Sequence, residues 1–351
     1  DALPIWGGGA IRTVTTLNTG LGDDHLMVAL TAGRDGFFVL NTQGPYDHDD
    51  TGVVRSDNDT VDASPSSLPL VIFGGQGKDD ITGGSGSDIL FGDRGRVESV
   101  DALGRVVQLL GFGGIGDITD GISHLVTTVI NRDPSVGSND YLNGGPNTPG
   151  TQDLVFGGAN GGGAVRAGGF DGDTLVSTAG DDVLFGDIGR LNLVDGVVAF
   201  AETRETTLGG ADAIDAGNGD NLVFGGLGGD RIATGSGRDL VVGDYGNATY
   251  LGRVLALIQS TDPTVGGDDI IESGDGSDIV LGGIGSDVVR SGTDFRNDIL
   301  LGDNGRVTFT PSGALVLVET FSPELGGDDL VYGSGGNDLI LGGFGADEVH
   351  A

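Results

Sequence analysis

Hydrophobic positions in this chain recur with a fixed phase of nine. GGQGKDDIT from Gly74 runs directly into GGSGSDILF from Gly83. The longest run starts at Ala216, where AGNGDNLVF, GGLGGDRIA, TGSGRDLVV and GDYGNATYL follow one another without a gap. SGDGSDIVL at Ser273, GGIGSDVVR at Gly282, GSGGNDLIL at Gly333 and GGFGADEVH at Gly342 keep the same phase. The eighth position of the unit is almost always Ile, Leu or Val, as expected of a side chain pointing into a narrow core. Self-similarity at a fixed short period is the mark of a repeat architecture.

A second pattern overlies the first. Blocks of nonapeptides close on a variant unit, GDRGR at Gly92, GDIGR at Gly186, GDYGN at Gly243 and GDNGR at Gly302. Hairpin-like alternation then follows in RLNLVDGVVAFAET from Arg190, NATYLGRVLALIQS from Asn247 and RVTFTPSGALVLVET from Arg306, with DG, LG and PSG at the expected turns. The period returns through LGGAD, VGGDD or LGGDD, so that Asp212, Asp269 and Asp329 mark a super-repeat of 57 to 60 residues. The insertion after Gly92 is longer, and the period resumes near Asn139. Residues 144–176 carry Gly-rich insertions that read as enlarged loops. Six segments follow: 1–58, a truncated, hairpin-rich first module; 59–138, a repeat module with the long insertion; 139–211, with enlarged loops and a hairpin; 212–268 and 269–328, each a module with a hairpin; and 329–351, a truncated last module. IRTVTTLNTGLGDDHLM near the start resembles VLVETFSPELGGDDLVY near the end, which suggests a window cut from a longer array.

The unit GGxGxDxUx resembles the hemolysin-type (RTX) calcium-binding repeat family. The resemblance implies an all-β fold, a parallel β-roll in which each nonapeptide is half a turn, six residues forming a calcium-binding loop and three a short strand. The physical chemistry of the unit agrees. Glycines at positions one, two and four permit positive φ, and an Asp at position six places a carboxylate beside turned-in backbone carbonyls, a hard-oxygen setting suited to Ca²⁺. The candidate ligands are Asp79, Asp88, Asp182, Asp212, Asp230, Asp239, Asp269, Asp278, Asp287, Asp298, Asp329, Asp338 and Asp347. A single such Asp would more simply cap its own turn; a dozen in register beside glycines point to calcium. Asn221 replaces Asp in one rung, which removes charge there. Asp93, Asp187, Asp244 and Asp303 stand where the family has Gly, and they either add a carboxylate to a calcium site or bond backbone amides where the roll breaks off.

In a β-roll, units nine apart lie on opposite sheets and units eighteen apart stack. Sorted so, the triplets after Asp88, Asp153, Asp182, Asn221, Asp239, Asp278, Asp298 and Asp338 are apolar throughout, whereas those after Asp79, Asp173, Asp230, Asp287 and Asp347 mix polar with apolar. A sheet apolar on both faces needs cover. The inserted hairpins or a second chain could supply it.

Charge changes the picture from fold to partner. The 351 residues carry 52 acidic and 17 basic side chains, a formal charge of −35, with 71 glycines and no cysteine. Such a polyanion repels nucleic acid and anionic lipid, disulfides and thiolate metal sites are excluded, and no run of about 18 apolar residues marks a membrane span or direct insertion. The chain has no HExxH, GxSxG or P-loop, GFGGIG at Gly111 lacks a strand-then-helix setting, and His25, His48, His124 and His350 show no ligand spacing. Acidic pairs such as Asp23/Asp24 and Asp268/Asp269 recur with the module, which marks them as structural. The expectation is a non-enzymatic, calcium-folded extracellular or cell-surface segment, an adhesin stalk, surface-layer component or filament subunit, with self-association through the apolar sheet as a further possibility. The resemblance implies type I secretion. The rival is the secretion and folding domain of a secreted enzyme or toxin whose catalytic part lies elsewhere. An ice-binding ladder lacks its repeated Thr or Asn, and glycan binding would want exposed aromatics, whereas Trp6 is the only tryptophan.

Overall fold

The computed structural model describes residues 3–6, 9, 11, 13–42, 57–111, 116–132, 137–147, 151–158 and 172–351. Within them every regular element is a strand, and the strands form three layers. A 13-stranded sheet and an 11-stranded sheet make the two walls of the roll, and a nine-stranded sheet lies over the second wall as a roof. The order within each wall follows the chain, alternate strands going to alternate walls. Both walls are parallel, as in the pairing of Leu154–Phe156 with Val183–Phe185 and of Ala213–Asp215 with Arg231–Ala233. The 13-stranded wall is called the outer wall here and the 11-stranded one the middle wall.

Each triplet explains its own place. Successive side chains of a strand point to opposite faces, so the central residue of a triplet enters the roll and its two neighbours leave it. Ile232 and Val223, from opposite walls, are both fully buried in the same interior cluster. In the outer wall the flanking residues meet solvent, as Arg231 does, and they are free to be polar. In the middle wall they meet the roof, so Leu222 and Phe224 are buried in a second cluster. The two unlike columns of triplets are therefore the two walls, one half-wet and one buried on both faces.

Hairpins build the roof. Gly189–Val194 pairs antiparallel with Val197–Thr203, Gly246–Leu251 with Val254–Ser260, and Gly305–Phe309 with Leu315–Thr320. Neighbouring hairpins pair in turn, Val197–Thr203 with Gly246–Leu251 and Val254–Ser260 with Gly305–Phe309. The long insertion adds Gly95–Val100, Val106–Leu110 and Thr128–Asn131 to the same sheet. Cover of the apolar wall thus comes from within the chain. At the DG turn both Asp195 and Gly196 take positive φ, 52° and 73°, the backbone twist that closes a two-residue hairpin. Between roof and middle wall, Phe73, Phe91, Phe156, Phe185 and Phe224 stack one per rung with ring centroids 4.9 to 5.0 Å apart, the spacing of paired strands.

The amino-terminal segment departs from the expected hairpins. Thr15–Asn18 pairs parallel with Phe38–Asn41 in the middle wall, and His25–Ala29 lies in the outer wall beside Thr60–Asp62. The likeness of residues 11–27 to 316–332 holds for the re-entry into the outer wall, His25–Ala29 and Leu330–Tyr332 both lying there. It fails for the strand before it. Thr15–Asn18 has no period-two pattern to commit it to either sheet, and the buried Phe38–Asn41 strand offers it a parallel partner. His48 and most of the enlarged loops within 144–176 lie outside the described residues.

Candidate metal centre

The loops between the walls form two edges. Loops running from middle to outer wall make the edge from which the hairpins emerge; loops running from outer to middle wall make the far edge. Every position-six Asp predicted from the repeats sits on one of these edges, directly before its strand. Along the hairpin edge each backbone N–H donates to Oδ1 of the next Asp: Asp24 to Asp59, Asp59 to Asp79, Asp79 to Asp140, Asp140 to Asp173, Asp173 to Asp212, Asp212 to Asp230, Asp230 to Asp269, Asp269 to Asp287, Asp287 to Asp329 and Asp329 to Asp347, at 2.6 to 3.1 Å. The far edge repeats the device from Asp88 through Asp153, Asp182, Asn221, Asp239, Asp278 and Asp298 to Asp338 at 2.7 to 3.1 Å. One side-chain oxygen per rung, a carboxylate everywhere but at Asn221, therefore ties the rungs together.

The other oxygen faces the loop. On the hairpin edge Oδ2 of Asp79, Asp140, Asp230, Asp269, Asp287 and Asp329 is buried and accepts no hydrogen bond. A buried anionic oxygen without a partner is costly. It also leaves room only for glycine at position one: a Cβ on Gly225 would overlap Asp230 Oδ2 and the Gly243 carbonyl, and one on Gly282 would overlap Asp287 Oδ2 and the Gly302 carbonyl. Burial pushes Asp140, Asp173, Asp230, Asp269 and Asp287 well above the ordinary carboxylate range, and neighbouring carboxylates add to the shift at Asp173, Asp230, Asp269 and Asp287. On the far edge burial carries Asp88 and Asp239 to about 6 and Asp153 and Asp278 to about 8.

The variant Asp of each closing unit lies on the hairpin edge. Asp187 accepts Gly210 N–H at 3.1 Å on Oδ1 and Leu227 N–H at 2.5 Å on Oδ2. Asp244 accepts Gly267 at 2.9 Å and Ile284 at 2.6 Å. Asp303 accepts Gly327 at 3.2 Å, with Phe344 on its other oxygen. Asp93 accepts Ser138 N–H at 3.3 Å. Of the two roles open to these residues, the bonds seen are those of amide capping. Each spans the gap that a hairpin leaves in the roll.

Among the described residues no three carboxylate or imidazole side chains converge closely enough to hold an ion by themselves. A cation at these loops would draw most of its ligands from backbone carbonyls, with one or two buried carboxylates. That donor set is all oxygen, as Ca²⁺ requires, and the unpartnered Oδ2 atoms supply the charge, so the loops fit calcium.

A family model described as RTX calcium-binding nonapeptide repeat (4 copies) matches residues 71–96, 167–190, 206–241, 264–289 and 325–351. These segments match the RTX calcium-binding repeat. No curated protein matches the chain. The ladders extend the RTX pattern past the matched segments, because Asp140, Asp153 and Asp298 lie outside them yet occupy the same rung position. Sequence reasoning left Asp24, Asp59, Asp140, Asp153 and Asp173 off the ligand set, since their loops lack the regular glycines. The signal available was the triplet with a central apolar residue after each of them, as in Asp140-Tyr-Leu-Asn and Asp59-Thr-Val-Asp.

Proposed function

We propose that this chain is a calcium-folded scaffold segment that works outside the cell, as part of an adhesive stalk, surface layer or filament. The observation that carries the reading is the pair of buried carboxylate ladders, which make the roll's cohesion depend on a cation. Without one, a charge of −35 and the backbone entropy of so many glycines oppose collapse. Each Ca²⁺ offsets two charges and ties loop to carboxylate, so binding free energy becomes folding free energy. Low intracellular calcium would keep the chain extended for export, and calcium outside would fold it.

A scaffold rather than an enzyme is favoured because the acidic pairs repeat with the rungs. The exposed Asp23, Asp268 and Asp328 beside the ladder residues accept backbone N–H groups of the next rung, from Asn58, Ser286 and Ala346. Among the described residues no helix is long and apolar enough to cross a membrane. The ladders along both walls predict a rigid rod. Small-angle scattering of the whole chain in millimolar calcium, and again after EGTA, checks this: an elongated, flat-walled particle that becomes a swollen coil on chelation is expected. A particle whose dimensions ignore calcium would refute it.

A further inference from the structure

The two edges are not equivalent in how their carboxylates are satisfied. On the hairpin edge the second oxygens of Asp79, Asp140, Asp230, Asp269, Asp287 and Asp329 meet no donor. Beside them Tyr245, fully buried, carries a hydroxyl without a hydrogen-bond partner, in the field of Asp187, Asp230 and Asp244. That neutral, uncommitted oxygen among anions is what a cation site offers and what a self-sufficient polar core avoids.

Four consecutive rungs of the far edge are built otherwise. Asp88 Oδ2 accepts the Gly84 N–H at 2.6 Å, Asp153 Oδ2 accepts the Asn147 side-chain amide, and Asp182 Oδ2 accepts the Ser177 hydroxyl at 2.5 Å. In the fourth, the Asn221 amide donates to the carbonyls of Gly217 and Gly219 at 3.2 and 3.1 Å. A side-chain N–H here takes the place a cation would take, since it turns loop carbonyls inward around a positive partner. Position one is Ser177 and Ala216 in the last two of these rungs and Gly74, Gly225, Gly282 and Gly342 on the hairpin edge, but it is Thr234 and Ser273 in the far-edge rungs of Asp239 and Asp278, so the hydrogen bonds and not this residue type mark the difference. Beyond Asn221 the far edge reverts, with Oδ2 of Asp239 and Asp278 again unpartnered.

We propose that calcium loading is one-sided over the first half of the roll: the hairpin edge is loaded along its length, whereas the far-edge rungs of Asp88, Asp153, Asp182 and Asn221 close on neutral donors without a metal. This rests on the proposal that the ladders bind calcium. The metal-free stretch would hold part of the middle wall in register when calcium is scarce, a seed on which the charged edge then assembles.

The test is calcium stoichiometry by equilibrium dialysis with elemental analysis, on the folded fraction of the full chain and of isosteric variants. Asp182→Asn and Asp153→Asn should leave the number of bound ions unchanged. Asp230→Asn and Asp269→Asn should each lower it by at least one. Asn221→Asp should raise it by one, and this gain-of-site variant reads out even if a loss variant fails to fold. Loss of an ion in Asp182→Asn, or no gain in Asn221→Asp, would overturn the one-sided assignment while leaving calcium binding intact. A parent chain that binds no calcium would overturn both readings.

Discussion

Phe156 is the clearest place to weigh the packing between roof and roll. Its ring is fully buried and stacks on Phe91 and Phe185 at 4.9 Å on either side, with interplanar angles of 20° and 16°. Phe156→Ala removes a large buried side chain and both ring contacts. Core Phe→Ala changes cost about 3–5 kcal/mol in total, of which a stacked pair accounts for about 0.5–1.5 kcal/mol where one is present. Backbone pairing with the strands at Leu90 and Leu184 holds the site open, so little collapse offsets the loss, and about 4 kcal/mol is expected. A solenoid rung touches only its neighbours, and the loss should stay local. Hydrogen exchange in saturating calcium is therefore the assay. Protection of residues 89–91, 154–156 and 183–185 should fall by about 10²–10³, at roughly 1.4 kcal/mol per tenfold, while 330–332 stays unchanged. Phe295→Ala, 88% exposed, serves as the control and should move nothing. A fall of less than about fivefold at Phe156 would show that the roof does not pack on the roll as described.

Other consequences concern charge and backbone. Buried carboxylates held above their unfolded values are stabilising only while protonated, so the chelated fold is favoured below about pH 4 and loses support as pH rises through about 6 for Asp88 and Asp239 and about 8 for Asp153 and Asp278. Circular dichroism in EGTA should accordingly show strand content rising on acidification; content that falls toward pH 4 would contradict this. The same competition means that the calcium concentration at half-folding should drop as pH is raised from 6 to 8, and a midpoint independent of pH would count against carboxylate ligation. Gly226 has φ +120° and its added Cβ would overlap the Asp187 carboxylate. Gly226→Ala should cost about 2 kcal/mol or more from backbone strain and a displaced cap, read as a lowered melting temperature in calcium, and an unchanged melt would refute the capping role.

Much of this architecture is legible in the sequence because the interactions that set it are local and repeated. A nine-residue phase with one apolar position fixes which side chain enters the roll, and Leu222 and Phe224 beside Val223 announce a wall buried twice. The turn residues Asp195 and Gly196 announce the hairpin. What the sequence hides is long-range. Thr15–Asn18 carries no pattern that assigns it to a sheet, and its partner 23 residues on decides its place. Asp140 and Asp153 lack flanking glycine phase, and the apolar-centred triplet after each is their only trace in the sequence until the rung they join is seen. The difference between Asp182 and Asp230 is not set by position one alone, because Ser177 bonds Asp182 Oδ2 whereas Ser273 leaves Asp278 Oδ2 unpartnered, and only the folded loop tells the two apart.

The central claim is that calcium folds the chain, and a far-ultraviolet circular dichroism titration of the whole chain tests it most directly. A largely disordered spectrum without calcium, cooperative gain of strand signal on titration, and reversal by EGTA are predicted. Strand signal already complete in EGTA at neutral pH and unmoved by added calcium would contradict the account.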